Sequence, residues 1–251
     1  AEAQSAKVVG SFNISFDPIA ASIDQQGFFY FASNEGVIEK YNKEGELLYH
    51  YSPQKKAKPT LIESWQGLRV FIYYQAFQEY LFLNRFLTDS ERYNLQRFNL
   101  SQFSGLATLS GDNHLWLMNS NTMMLSKLDI DSGETLLENI LSLSLTVTDF
   151  SPAFIREYQN LLFIADQKNG ILVFDNLGNY METIGGESID FFSFHKNNLI
   201  IAKEGQIVLI DIYSKQKREI GTAHLSYEKV FMENNQFFAL SGRRVDILSI
   251  N

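Results

Sequence analysis

The sequence predicts an all-β fold, a six-bladed β-propeller built from four-stranded antiparallel blades. One pattern recurs six times between residues 27 and 250: an apolar strand, a polar turn that often contains Gly, an alternating strand and a second turn. Equivalent points of the repeat are 41, 45, 47, 37 and 38 residues apart, at Phe28, Arg69, His114, Leu161, Asn198 and Gln236. This period is typical of propeller blades, and the 251 residues leave no room for a seventh copy.

We expect one domain over residues 1–251, with blades at about 17–52, 60–99, 105–142, 148–185, 188–220 and 227–250. The first repeat shows the expected order, with innermost to outer strands at 18–24, 28–33, 37–42 and 46–51. Its turns end at Gly27 and Gly45, where a residue without a Cβ takes a positive φ at no steric cost. The second repeat has a glycine only in its first turn, at Gly67, and it is the most divergent.

The two ends of the chain complement each other. The sixth repeat supplies three strands, at 227–232, 236–240 and 245–250, and an extra strand at 7–15 precedes the first repeat. Placing 7–15 as the outer strand of the last blade closes the ring and removes exposed strand edges. The sequence therefore predicts that the N-terminal strand is a latch.

Two segments carry a family resemblance, NLLFIADQKNGILVFDNLGNYMETI at 160–184 and GFFYFASNEGVIEKYNKEGELLYHY at 27–51. They resemble the NHL and YWTD-type six-bladed propellers, and the likeness extends over nearly the whole chain. It implies the propeller fold and hardly bears on function, because one fold hosts many activities.

Composition narrows the function classes. A formal net charge of −8 and a pI near 5.1 argue against nucleic acid as a partner, and the lysines at 55–58 are typical of a solvated linker. No apolar stretch reaches the length of a transmembrane helix. The chain has no Cys, which excludes disulfides and thiolate metal sites. The small residues at 1–6 favour an exported bacterial protein, secreted, periplasmic or associated with the outer membrane.

The loops between blades, and those between second and third strands, are predicted to share one face of the ring. That face has the greater chemical variety, and loops on a rigid scaffold are where binding residues concentrate. We expect partner-binding residues there and at the neighbouring aromatic turn: Tyr74, Phe77, Tyr80, Asn34, Asn119, Asp166, Lys203 and Arg243.

The second repeat has seven aromatic residues between 71 and 86. Tyr74, Phe77 and Tyr80 flank a turn without Gly, so we expect one or two of them to project and to anchor a protein partner. The alternative is that these side chains pack between blades.

Asp17, Asn34, Asn119, Asp149 and Asp166 form a second candidate constellation. Together they would provide an oxygen-rich Ca²⁺ site on the channel axis, with Asp17 and Asp149 opening blades that face each other. The alternative is that these side chains cap their own turns. None of His50, His114, His195 and His224 lies at metal-ligand or catalytic spacing from another, and no nucleophile elbow or phosphate-binding loop occurs.

The leading functional hypothesis is a non-catalytic propeller without a cofactor, which binds another protein as a scaffold or assembly component. A membrane-associated complex is one partner of this kind. The alternative is a Ca²⁺-dependent hydrolase of lactones or esters with its site on the channel axis. Binding of a carbohydrate or peptide in the funnel would use the same surface as the first hypothesis.

Overall fold

The protein folds as β-strands joined by short turns. The computed structural model describes residues 4–88, 90–98, 100, 103–145, 149–186, 188–223 and 227–250. Within these residues there are 24 strands and three short 3-10 helices, at Gln75–Phe77, Leu95–Phe98 and Leu141–Leu143. In this described part of the chain no helix is long and apolar enough to cross a membrane.

The strands are numbered in chain order. They are β1 (Gln4–Asn13), β2 (Pro18–Ile23), β3 (Phe29–Ser33), β4 (Ile38–Tyr41), β5 (Leu47–Tyr51), β6 (Leu61–Glu63), β7 (Arg69–Tyr74), β8 (Glu79–Asn84), β9 (Ser90–Asn94), β10 (Gly105–Leu109), β11 (His114–Asn119), β12 (Met124–Asp129), β13 (Thr135–Ile140), β14 (Pro152–Tyr158), β15 (Leu161–Asp166), β16 (Gly170–Phe174), β17 (Tyr180–Ile184), β18 (Ser193–His195), β19 (Asn198–Lys203), β20 (Gln206–Asp211), β21 (Lys217–Gly221), β22 (Lys229–Glu233), β23 (Gln236–Ser241) and β24 (Arg244–Ile250).

Four sheets contain four antiparallel strands each, in chain order: β2–β5, β6–β9, β10–β13 and β14–β17. Their second and third strands are almost entirely buried, whereas the fourth strands are largely exposed. The connecting turns have the expected chemistry. At Gly170, φ is 95°, and a Cβ would lie 2.9 Å from the carbonyl oxygen of Ile184, so the turn between β15 and β16 requires glycine.

The remaining eight strands form one sheet, in the order β18-β19-β20-β21-β1-β24-β23-β22. β1 joins its two halves because it pairs on both edges. It is antiparallel to β24 from Ala6↔Ile250 to Asn13↔Arg244, and parallel to β21 over only Gln4↔Ile220 and Ser5↔Gly221. The six predicted four-stranded blades are therefore not observed as such: there are four separate four-stranded sheets and one eight-stranded sheet. The N-terminal strand does lie beside the last strand of the chain.

The core lies between neighbouring sheets, in five clusters of apolar side chains. The largest surrounds Trp116 and joins the β6–β9, β10–β13 and β14–β17 sheets. Another joins the first separate sheet to the end of the chain, where the ring of Phe29 lies 4.6 Å from that of Phe238 and 6.0 Å from that of Phe231. Each fully buried Phe contributes about 1.5–3 kcal/mol of burial free energy. Packing between sheets thus accounts for the high aromatic content.

Candidate functional site

One or two of Tyr74, Phe77 and Tyr80 were expected to project, and the structure exposes one of them. Tyr74 and Tyr80 are completely buried, which corrects their predicted role as partner contacts. Tyr74 packs in the cluster that joins the first two sheets, and the ring of Tyr80 stacks on Tyr93 at 5.2 Å. Tyr74 and Tyr80 therefore follow the alternative given for this segment, in which the aromatic side chains pack between blades. Phe77 lies in a 3-10 turn and is 41% exposed, with the Lys55 ammonium 5.1 Å from its ring centre.

The acidic and amide side chains of the predicted face are engaged locally. Asp166 is fully buried, which corrects its predicted role as a surface contact, and it accepts hydrogen bonds from the backbone N–H groups of Lys168 and Asn169 at 3.0 and 2.9 Å. The side chain of Asn119 caps its own turn in the same way. Asp17 accepts a hydrogen bond from Arg243 Nε at 3.1 Å. Asp166 and Asn119 thus follow the turn-capping alternative, whereas Asp17 binds a side chain near the other end of the chain.

Among the residues that the structure describes, no group of three or more His, Asp or Glu side chains is arranged to hold a metal ion. Asp149 is exposed and has a left-handed backbone, with φ of 52°. The Ca²⁺ site therefore stays a prediction. Asn34 and Arg243 are exposed, Asn119 and Lys203 are half-buried, and their roles in binding also stay predictions. His224 lies outside the described residues.

Polar side chains of the innermost strands connect neighbouring sheets. The Ser64 hydroxyl donates to the Ser22 hydroxyl at 2.9 Å, across the first two sheets. Glu157 of β14 accepts hydrogen bonds from Gly111 N at 2.8 Å and from Trp116 Nε1 at 2.6 Å. These two bonds join the fourth sheet to the third. Tyr158 donates to the carbonyl of Lys196 at 2.8 Å. These bonds hold neighbouring sheets together because each one joins two of them.

A cavity of about 490 Å³ opens among the turns between first and second strands, away from the face that the sequence favoured. Residues from the ends of β2, β6, β14, β18 and β22 surround it, including Asp24, Trp65, Arg156, Tyr158, Phe194 and Glu233. The rings of Tyr158 and Phe194 stack at 4.3 Å with an interplanar angle of 6°. The cavity therefore combines an aromatic wall with charged groups. The sequence signal for it was a pair of charges, Arg156 and Glu157, inside an innermost strand.

Arg156 is the unusual group of this cavity. Its side chain is 6% exposed, its Nε is buried without a hydrogen-bond partner, and it forms no hydrogen bond or ion pair with any described residue. Burial lowers the pKa of the guanidinium, opposed by the charge of Glu63. Trp65 Nε1, on the same cavity, is also buried and unpartnered among the described residues.

Glu63 lies at the end of β6 and is completely enclosed. Its carboxylate accepts hydrogen bonds from the Thr108 hydroxyl and from Leu109 N, the latter at 3.2 Å. Burial raises the pKa of this carboxyl from 4.5 to about 7, although the positive charge of Arg156 and both hydrogen bonds act in the opposite direction. At neutral pH Glu63 is therefore only partly ionised.

The outer strand β5 is a second distinctive feature. Its sequence is Leu-Leu-Tyr-His-Tyr, and Leu47, Leu48 and Tyr49 are 50%, 38% and 39% exposed. One edge of β5 pairs with β4, and no other described strand pairs with it. The ring of Tyr49 meets that of Phe86, itself 42% exposed, edge to face at 5.5 Å. An apolar patch thus lies along a strand edge.

Every other outer strand contains at least one charged side chain. β9 has Glu91 and Arg92, β13 has Glu138, β17 has Glu182, and β21 has a run of three charges and is paired with β1. Charges on an edge strand oppose the addition of a further strand. Within the described residues, β5 is the outer strand without this protection.

No protein-family model matches the chain, and no curated protein sequence matches it significantly. Solved structures match it at low identity over their whole length. Virginiamycin B lyase from Staphylococcus aureus is 13% identical, with a TM-score of 0.65 over 98% of this chain and 99% of that one. The Cps50 (Swd1) β-propeller domain from Myceliophteria thermophila is 11% identical, with a TM-score of 0.65 over 98% and 100%. BamB from Moraxella catarrhalis is 10% identical, with a TM-score of 0.52 over 97% of both chains.

These similarities define the class of fold and not the activity. The predicted all-β propeller with four-stranded antiparallel blades is confirmed. The resemblance to NHL and YWTD-type propellers and the exported location stay predictions of the sequence.

Proposed function

We propose that this chain is a non-catalytic β-propeller that binds another protein, and that the partner adds a strand to the free edge of β5. The observation that carries the proposal is the exposed, uncharged strand Leu47–Tyr51. Strand addition uses the unpaired backbone groups of an edge for affinity and the alternating side chains for specificity. The fold alone does not favour this function, since a lyase is among the structures that share it.

The side chains around the edge support the same mode of binding. Phe86 extends the face on which Tyr49 lies, since the two rings are in contact. A register shift in β5 pairs Tyr49 with Lys40 and Leu47 with Tyr41, so Leu47 lies on the opposite face of the same edge strand. The Arg85 guanidinium lies 4.7 Å from the Phe86 ring centre, at the border of the patch. An aromatic centre with an arginine at its border is a common composition of protein interfaces. Phe77 is a further proposed contact.

We also propose that the two halves of the eight-stranded sheet act as two blades, which gives six blades and a ring closed by β1. The two-residue parallel pairing between β1 and β21 is short, whereas β1 and β24 pair along nearly their full length. Side chains of β23 and β24 pack against β2 and β3, so the last sheet contacts the first. A closed ring keeps β5 at its perimeter, accessible to a partner.

The experiment is affinity purification of the tagged protein from its native cells under gentle solubilisation. The test variant is Leu47→Lys/Tyr49→Lys, which adds two positive charges to the edge. The control, Leu177→Lys/Met181→Lys, adds the same charge at two other exposed apolar positions, 63% and 52% exposed.

The proposal predicts a stoichiometric partner that the wild type and the control retain and that the edge variant loses. Equal recovery of the partner with both variants would place binding elsewhere. If the wild-type protein is purified without any partner, protein binding itself is contradicted.

A further inference from the structure

The cavity among the first-to-second-strand turns contains two hydrogen-bond donors that the protein does not use. Arg156 is only 6% exposed, and it forms no ion pair or hydrogen bond with a described residue. The indole N–H of Trp65 is buried and equally unpartnered among the described residues. A buried guanidinium without a direct ion pair or hydrogen bond is expensive, because it has lost its hydration. Its compensation within the described residues is limited to the Phe194 ring, 5.8 Å away, and the more distant charge of Glu63.

The neighbouring carboxylates do not supply a direct ion pair. No Glu63 oxygen lies within 4 Å of the Arg156 nitrogens, and Thr108 and Leu109 bind the Glu63 carboxylate. Glu157 binds Gly111 and Trp116. Asp24, which lines the cavity, accepts from the Tyr30 hydroxyl at 3.0 Å and lies 3.8 Å from the Lys40 ammonium. The positive charge of Arg156 is thus left for a ligand.

We propose that this cavity binds a small molecule through a single oxyanion group, a carboxylate or a phosphate, held by Arg156 and the Trp65 indole N–H. The planar guanidinium suits both groups because its N–H donors match two oxygens at once. The stacked pair Tyr158 and Phe194 provides a wall for an apolar or aromatic portion of the ligand. A volume of about 490 Å³ is in the range of small-molecule sites.

The remaining charges of the cavity restrict the ligand further. Asp24 and Glu233 also line it, and they repel additional negative charge. A polyanion is therefore excluded, and a molecule with one oxyanion on a neutral or zwitterionic body fits best. The site does not involve β5, so it stands independently of the protein-binding edge.

The experiment measures thermal stability and calorimetric binding of the full chain with benzoate, phenyl phosphate, acetate and inorganic phosphate, and with benzamide as the neutral control. The test variants are Arg156→Met, which removes the charge, and Trp65→Phe, which removes only the N–H donor and keeps an aromatic ring. Arg218→Met is the matched control, since Arg218 is exposed and hydrogen-bonded to Gln4, away from the cavity.

An aromatic oxyanion is expected to bind the wild type and Arg218→Met, and to bind Arg156→Met roughly ten- to a hundredfold more weakly. Trp65→Phe is expected to bind several-fold more weakly, and it keeps the test valid if Arg156→Met does not fold. A preference for benzoate or for phenyl phosphate identifies the oxyanion. Without ligand, Arg156→Met is expected to melt at a higher temperature than the wild type, because an unpaired buried charge is gone.

Three results would overturn the proposal. One is that no oxyanion binds the wild type, and another is that benzamide binds as well as benzoate. The third is that Arg156→Met lowers the melting temperature without ligand and leaves binding unchanged, which would make Arg156 a structural group.

Discussion

The stability of this protein is predicted to fall with rising pH through one buried carboxyl group, Glu63. The side chain is 3% exposed and lies between the second and third sheets. Its hydrogen bonds from Thr108 and Leu109 do not compensate the loss of water around the ionised form. The perturbation is Glu63→Gln, which keeps the shape and an acceptor oxygen and removes the titration.

The magnitude follows from the raised pKa. In the folded protein the pKa of Glu63 is about 7, against 4.5 for an unperturbed glutamate. Between these values the folded state binds more protons than the unfolded state, so the folded state loses stability as pH rises through this range. The full loss, complete above pH 7, corresponds to about 3 kcal/mol.

The assay is urea unfolding of the wild type and Glu63→Gln at several pH values between 4 and 8. Carboxyls such as Asp129, Asp175 and Asp211 have lowered pKa values because turn N–H groups bind them, and they act in the opposite direction. Their effect is the same in both proteins and cancels in the difference. The difference in unfolding free energy, Glu63→Gln minus wild type, is expected to rise by about 3 kcal/mol between pH 4 and pH 8, because the wild type loses this stability and the variant does not. A constant difference would refute the reasoning.

Three further predictions concern stability. Glu157→Ala leaves the N–H groups of Trp116 and Gly111 unpaired and should cost about 3–5 kcal/mol in urea unfolding, with a smaller loss for Glu157→Gln; a cost below about 1 kcal/mol would contradict the assigned bonds. Gly105→Ala should lower the free energy of unfolding by about 3 kcal/mol or more, because its Cβ would lie 1.8 Å from the Met118 carbonyl oxygen. Gly67→Ala should lower it by about 1 kcal/mol, because Gly67 has open space around it and only its φ of 72° opposes a side chain; similar losses for the two variants would contradict the packing. Deletion of residues 4–13 should lower the melting temperature, and a peptide of that sequence should restore it; an unchanged melting temperature would show that β1 does not hold the two halves of its sheet together.

The repeat predicted much of the strand pattern because turns and apolar runs are local signals. In the first repeat it predicted strands at 28–33 and 37–42, and the structure has Phe29–Ser33 and Ile38–Tyr41. In the second repeat, the turn between β7 and β8 works without glycine because Gln78 adopts φ of 53°.

Burial and long-range pairing were harder to predict. Alternation along the chain does not show which strands are covered on both faces, as β7 is: neighbouring sheets bury every residue from Val70 to Tyr74. The cavity at Arg156 combines turns from different repeats, so the charged pair Arg156 and Glu157 in an innermost strand was its one local sign in the sequence. The position of β1 beside β24 followed from counting strands, whereas its second pairing with β21 did not.

The measurement that tests the central claim most directly is hydrogen–deuterium exchange of this protein with its purified partner bound. Strand addition predicts slower exchange of backbone amides in Leu47–Tyr51, because the free edge of β5 becomes hydrogen-bonded. Unchanged exchange in β5, with protection confined to another surface, would contradict the proposed binding edge.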